Sequence, residues 1–393
     1  MRKLVTALGC AALLAGLAAS ANAGNGTPIN TGSADAVTMA VDGDVPYGVN
    51  PTDTAQFDAM PGYIDSINGD SQVRQLIHVG DIHSGKQYCT EAYDQSIFDL
   101  WQRFNDPIVY TPGDNEWTDC HKAGEGGNVT DSNGHPVDYA NGNPVANLGL
   151  IRSIFFPAPG VTLGGRKKQV ISQAQVGEGT DANYVENVMW EQSKTLFVSV
   201  NIPGGSNNDA DNWYGAARTQ QQTDEIAQRT AADLHWINAA FDRAQADGVD
   251  AIVIVEQADM WDLDGKPASH IANYKQFIAA IANGTDAFGK PVLLFNGDSH
   301  VFRSDNPLVN DAPCATENGS AIVACAAGDD AYDKQTGNTP TDLPTPENFH
   351  RVVVHGSTFP LEWLKLTIDP RASHPTTATS FGPFSWQRKI VNP

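Results

Sequence analysis

Residues 107–120 read PIVYTPGDNEWTDC. A short apolar run, 107–110, stops at Thr111-Pro112-Gly113. Within the next six positions the chain presents Asp114, Asn115, Glu116 and Asp119. Gly, Asp and Asn favour turns for backbone reasons, so this segment alone reads as an ordinary polar turn. The same event recurs, however. AVTMAV (36–41) runs into DGDVPYG with Asp44, and QLIHV (75–79) into GDIHSGK with Asp81 and His83. DAIVIV (250–255) runs into EQAD with Glu256 and Gln257, and PVLLF (291–295) into NGDSH with Asp298 and His300. Four of these runs carry Gly-Asp where the apolar stretch ends. Ligands of open α/β sheets gather outside the carboxyl ends of the strands. Turn chemistry explains one such Gly-Asp and explains four in one topological position poorly.

Working outward, further β-branched runs at 195–200, 351–355 and 363–368 alternate with helical patterns at 94–104, 218–246 and 270–282. In the second helix Ile226, Ala227, Thr230, Leu234, Ile237 and Phe241 recur at helical spacing. Alternating strands and helices predict an α/β fold built on sheets. Two long stretches read as irregular insertions, 121–147 rich in Gly and Asn and 305–349 rich in Asp, Thr and Pro.

The chain opens with Arg2 and Lys3, an apolar run 4–17, and Ala21-Asn22-Ala23, the form of an export signal with its cleavage site. The run is too short for a typical membrane span. The expected mature chain is therefore a single domain, 24–393, secreted or periplasmic. Loss of Arg2 and Lys3, the charged residues of that segment, takes the net charge from −22 to −24. Such a surface repels polyanions, which argues against nucleic acid and anionic membranes as partners. Export permits disulfides. Four cysteines remain, and their order favours Cys89–Cys120 and Cys314–Cys325 among the three possible pairings.

Asp44, Asp81, Asp114 and Asp298 offer hard oxygens and His300 an imidazole, with no cysteine among them. That set suits Mg, Mn, Ca or Fe better than a thiolate-seeking metal. Four carboxylates are excessive for one cation. Two divalent ions about 3.5–4 Å apart are the arrangement used for in-line displacement at phosphorus.

In their order, GDVPYG, GDIHSG, VYTPGDNEWTDC and GDSHVFR resemble the calcineurin-like metallophosphoesterase superfamily, which includes purple acid phosphatases. Their wording looks like a divergent secreted bacterial branch, over about residues 36–369 with the insertions unmatched. The resemblance implies a four-layer sandwich of two sheets flanked by helices. It implies hydrolysis of small phosphate mono- or diesters by a metal-activated water at a two-metal site. Position by position it makes Asp44 a ligand of the first metal and Asp81 the bridging carboxylate. Asp114 takes the place of an Asn ligand, and Gln257 and Asp298 take the places of His ligands, while His300 keeps its own. Asn115 stands where the family has a His, the usual proton donor to the leaving group. Pro46 stands where another His is usual. These departures shift the ligand set toward oxygen, so zinc fits less well.

Around this frame, His83 is the nearest substitute for the lost acid because imidazole titrates in the useful range; otherwise it is a polar loop residue. Tyr47 is a second substitute close to Asp44, read as a substrate contact. Arg303, three residues after His300, could clasp a phosphate bidentately or form a surface ion pair. Asn207 and Asn208 emerge after the run 195–200 on the same edge, where turn chemistry accounts for them nearly as well. Glu116 reads as an orienting carboxylate behind the ligands. His121, His135, His270, His350 and His355 have no constellation, and DDAYD (329–333) lacks the Gly and closing Glu of a calcium loop. The competing reading is a metal-stabilised binding protein that kept the scaffold and lost turnover, favoured by Asn115, Gln257 and Asp298.

Overall fold

The apolar runs that end in Gly-Asp form strands, and Val37–Asp42, Val73–His78 and Pro107–Tyr110 lie side by side and parallel. The computed structural model describes residues 27–28, 34–208, 210–262, 269–326 and 343–391. The expected leader (1–23) and the acidic run 329–333 lie outside them. The three strands belong to an eight-stranded sheet completed by Leu163–Gly164 on one side and Leu361–Ile368, Phe384–Val391, Ser380–Gly382 and His374–Thr377 on the other. A second sheet of nine strands has Thr195–Ser199, Ala251–Val255, Val292–Asn296 and Phe349–Val353 as its parallel centre.

Side-chain alternation assigns the layers. Met39, Val41, Ile77 and Val109 of the first sheet meet Phe197, Val253, Leu293 and Phe295 of the second in a core between the sheets. The alternate residues face outward. Ala40, Leu76, Ile108 and Tyr110 pack with helices Ala55–Gly69, Glu91–Trp101 and Pro144–Phe155. Leu196, Ile252, Ile254 and Leu294 pack with helices Gln220–Asp247 and Lys275–Phe288. The result is the four-layer sandwich that the motifs imply.

Local chemistry sets the helix ends. Thr90, Asn143 and Thr219 each cap with a side-chain oxygen that accepts a backbone N–H of the first turn. Gly248, at φ 67°, closes the long helix in the left-handed conformation. Two elements depart from the sequence reading. Ala55–Gly69 is a helix despite Pro61 and Gly62, because burial of Met60, Tyr63, Ile64 and Ile67 outweighs weak propensity. The insertion at 305–349 contains a hairpin, Ala315–Asn318 with Ala321–Ala324, fastened at its base by the Cys314–Cys325 disulfide. Cys89–Cys120 is the other disulfide, so both pairings favoured by cysteine order are the observed ones.

Candidate metal centre

Three of the four Gly-Asp aspartates adopt an unusual backbone. Asp44, Asp81 and Asp298 have φ of 52°, 58° and 69°, and His300 has 64°. This left-handed region costs a non-glycine residue roughly 1–2 kcal/mol and persists where surroundings enforce it. Backbone hydrogen bonds supply that enforcement. Asp44 N–H donates to the Gly80 carbonyl at 2.9 Å and Val45 N–H to the Asp81 carbonyl at 3.1 Å. Ser357 N–H donates to the Asp44 carbonyl at 2.7 Å, and Gly356 N–H to the His300 carbonyl at 3.0 Å. The turns of both sheets are thereby laced together beyond their strands.

The side chains converge. One ligand atom each from Asp44, Asp81 and His300 lies within 4.8 Å of the others. His300 Nε2 is 3.4 Å from Asp44 Oδ1. Asp298 N–H donates to the same Asp44 oxygen at 3.1 Å. Gln257 Nε2 donates to Asp114 Oδ1 at 2.9 Å and to Asp81 Oδ2 at 3.2 Å. At Gly204 a Cβ would stand 2.7 Å from both Asp114 Oδ2 and Asp298 Oδ1, so the backbone there has no room for a side chain. Asp44, Asp81, Asp114 and Gln257 are buried, while the His300 side chain remains 36% exposed at the mouth.

Crowding buried carboxylates is unfavourable without a counter-charge. Burial raises the pKa of Asp44 well above its ordinary value, and Asp298 raises it further. Burial does the same to Asp81, with Asp114, Glu116 and Asp44 adding. Asp44 Oδ2 is buried and has no hydrogen-bond partner. An oxygen-rich set with one imidazole, an unpartnered carboxylate oxygen and mutually repelling neighbours fits a hard divalent cation at Asp44, Asp81 and His300. The second expected set, Asp81, Asp114, Gln257 and Asp298, is close together but is already bridged by the Gln257 amide.

Other candidates lie differently from their expected roles. Tyr47 turns inward. Its buried hydroxyl donates to Asp81 Oδ2 at 2.6 Å, accepts from Asn115 Nδ2 at 2.8 Å and lies 3.3 Å from His300 Nε2. Asn115 also donates to Asp81 Oδ2 at 3.1 Å and to the His83 carbonyl at 3.0 Å, which engages both of its amide hydrogens and fixes the carboxylate. His83 is fully buried, its Nδ1 is 3.1 Å from the Ser84 carbonyl, and burial holds its pKa below the usual value. The ring is thus enclosed by protein rather than open to the metal cluster's mouth. Asn207 is tied to Arg229 at 2.5 Å and Thr230 at 3.0 Å, and Asn208 to Trp213 at 2.9 Å and Glu225 at 3.1 Å, which directs both amides to the long helix. Arg303 opens the strand Arg303–Asp305, where it pairs with Val353 and Thr316 of the two strands beside it. Glu116 accepts from Tyr110 at 2.5 Å and from Gly113 N–H at 2.6 Å, pinning the Asp114 turn from behind.

Sequence reasoning passed over a buried support beneath Asp298. Arg351, fully buried, pairs with Asp259 at 2.5 Å and Asp305 at 2.8 Å. Asp259 in turn receives the Ser299 hydroxyl at 2.9 Å, while its own N–H donates to Asp298 Oδ2 at 3.3 Å. The available signal was a lone Arg opening the otherwise apolar run RVVV. Lys122 was also missed; it pairs with Asp119 at 2.6 Å beside the Asp114 turn.

No family model matches the chain, and no curated protein matches it. Among solved structures it is similar to a purple acid phosphatase from yellow lupin (Lupinus luteus) seeds, with 11% identity and a TM-score of 0.43, over 91% of this chain and 52% of that one. It is also similar to a structure of PhoD, with 10% identity and a TM-score of 0.44, over 88% of this chain and 66% of that one. The chain thus spans about half the length of the first and less than two thirds of the second.

Proposed function

We propose that this chain is an exported, metal-dependent phosphoesterase acting on small phosphate esters. The observation that carries the reading is the convergence of Asp44, Asp81 and His300 on one point, outside the carboxyl ends of parallel strands. A divalent cation bound there would polarise a phosphoryl oxygen and acidify a bound water. The chain's own residues do the positioning. Tyr47 and Asn115 fix Asp81 by donating to Oδ2, so its lone pairs keep one direction. The Arg351–Asp259–Ser299 chain holds the turn that carries Asp298 and His300. His300, partly exposed, borders the approach of substrate. Both disulfides suit an oxidising compartment. Among the described residues no helix is long and apolar enough to cross a membrane.

With His83 buried and Asn115 engaged, neither of these two residues is set to protonate a leaving group. That arrangement favours esters whose leaving group departs as an anion. It also favours the rival reading, a binding protein on the same scaffold. Hydrolysis of p-nitrophenyl phosphate and bis(p-nitrophenyl) phosphate separates the two. Turnover should vanish on chelation, return with Mn²⁺ or Mg²⁺, and be lost in Asp81→Asn. Turnover insensitive to chelator would reject the metal-dependent mechanism, and no turnover with metal bound would reject the enzyme reading.

A further inference from the structure

Gln257 lies two residues beyond the strand Ala251–Val255 and is fully buried at the seam between the two carboxylate groups. A primary amide has two N–H donors, and both are used, one toward Asp114 Oδ1 and one toward Asp81 Oδ2. Its Oε1 accepts the Gly204 N–H at 2.5 Å. The side chain has little freedom to leave. A Cβ placed on Gly80 would lie 2.6–2.8 Å from Gln257 Cγ and Cβ, which shows how closely the stem packs against that turn. Turning the amide over is also blocked, because it would set Nε2 against the Gly204 N–H and Oε1 against two carboxylates.

A cation shared by Asp81 and Asp114 needs lone pairs aimed at it, and here N–H groups are aimed at those oxygens instead. Among the His, Cys and carboxylate side chains of the described residues, the one trio with metal-ligand spacing at this site is Asp44, Asp81 and His300; neither Asp114 nor Asp298 joins it. We infer that the chain binds a single divalent cation at Asp44, Asp81 and His300, and that the Gln257 amide takes the place of a second cation between Asp81 and Asp114. This inference rests on the reading that the cluster binds metal. It replaces the two-ion expectation with one ion and a neutral hydrogen-bonded clamp.

The test is stoichiometry. The full chain is stripped with chelator, loaded with Mn²⁺ and desalted, then examined by native mass spectrometry and electron paramagnetic resonance. The wild type should retain one ion per chain and give the six-line signal of isolated Mn²⁺. Gln257→His, which exchanges donors for an imidazole lone pair, should retain two and show the broadened signal of a coupled pair. Two ions in the wild type would overturn the inference while leaving the metal reading intact, and none would overturn both. A Gln257→His variant with a native circular dichroism spectrum that still retains one ion would overturn the assignment of the amide as the excluding group. If that variant does not fold, the wild-type count decides alone.

Discussion

At the scale of single residues, roles at this site are separated by what each oxygen touches. Asp81 accepts from Tyr47, Asn115 and Gln257 and belongs to the ligand group. Glu116, one turn away, spends Oε1 on Tyr110 and Gly113. Asp81→Asn should therefore reduce retained metal by tenfold or more, as removal of a direct ligand does, whereas Glu116→Gln should act more weakly through the Asp114 turn. Elemental analysis showing equal loss would reverse that ranking. His83→Ala should leave the dependence of kcat/KM on leaving-group pKa unchanged, since the ring never meets solvent. It should instead cost about 2–4 kcal/mol of stability, in the range for emptying a buried aromatic site; a steeper leaving-group dependence would restore His83 as the acid. The Gly-Asp pairs were legible in the sequence because residue type and strand-end position coincide. The inward turn of Asn207 and Asn208 was not legible, because a left-handed backbone and distant partners leave no local pattern; nor was that of Tyr47, whose hydroxyl partner Asp81 is 34 residues away.

At the scale of elements, the Cys89–Cys120 bridge spans 31 residues and joins the segment after Asp81 to the segment after Asp114. Both sulfurs lie within 3.6 Å of the Asn115 carbonyl. Replacing both cysteines by serine should cost roughly 3–4 kcal/mol by the loop-closure argument, and should loosen metal binding as well, read by denaturation and metal titration. His350 makes a prediction for the strand Phe349–Val353. Burial against Phe381 and Trp386 pushes its pKa down to about 4 from 6.5. The unfolded chain therefore takes the proton first, so stability holds above about pH 6.5 and falls as pH drops toward 4. Denaturant melts of His350→Gln should show about 2–3 kcal/mol less acid loss between pH 7.5 and 4.5 than the wild type. An identical acid loss would mean that the ring is not neutral in the fold. Strand runs were readable from their β-branched cores. The helix Ala55–Gly69 and the 315–324 hairpin were not, since tertiary burial and a disulfide define them rather than propensity.

At the scale of the molecule, a net charge of −22 surrounds a site meant, on the proposed reading, for anionic esters. Like charge slows encounter, and added salt screens it over about 10 Å at 0.1 M. kcat/KM for an aryl phosphate should rise several-fold between low salt and about 0.5 M NaCl, at saturating metal. A fall over that range would place a cationic path to the site that the overall charge conceals. The layer order was legible because period-two alternation and helical periodicity each mark a face. How the nine-stranded sheet ends was not, because its outer strands depend on pairing across a hairpin that carries little apolar signal.

Arg388 reaches from the eight-stranded sheet to Glu362 beside it and to Glu317 on the hairpin of the other sheet, while His355 holds the second face of Glu317 at 2.8 Å. The sandwich is thus bolted along one margin. Along the opposite margin both sheets end in two-residue strands, Leu163–Gly164 and Ile171–Ser172. Breathing of the two leaves should be asymmetric as a result, like a cover hinged on its riveted side. Amide exchange should be fastest at 163–172 and slowest along 361–368, and Arg388→Met should erase much of that gradient by releasing the hinge.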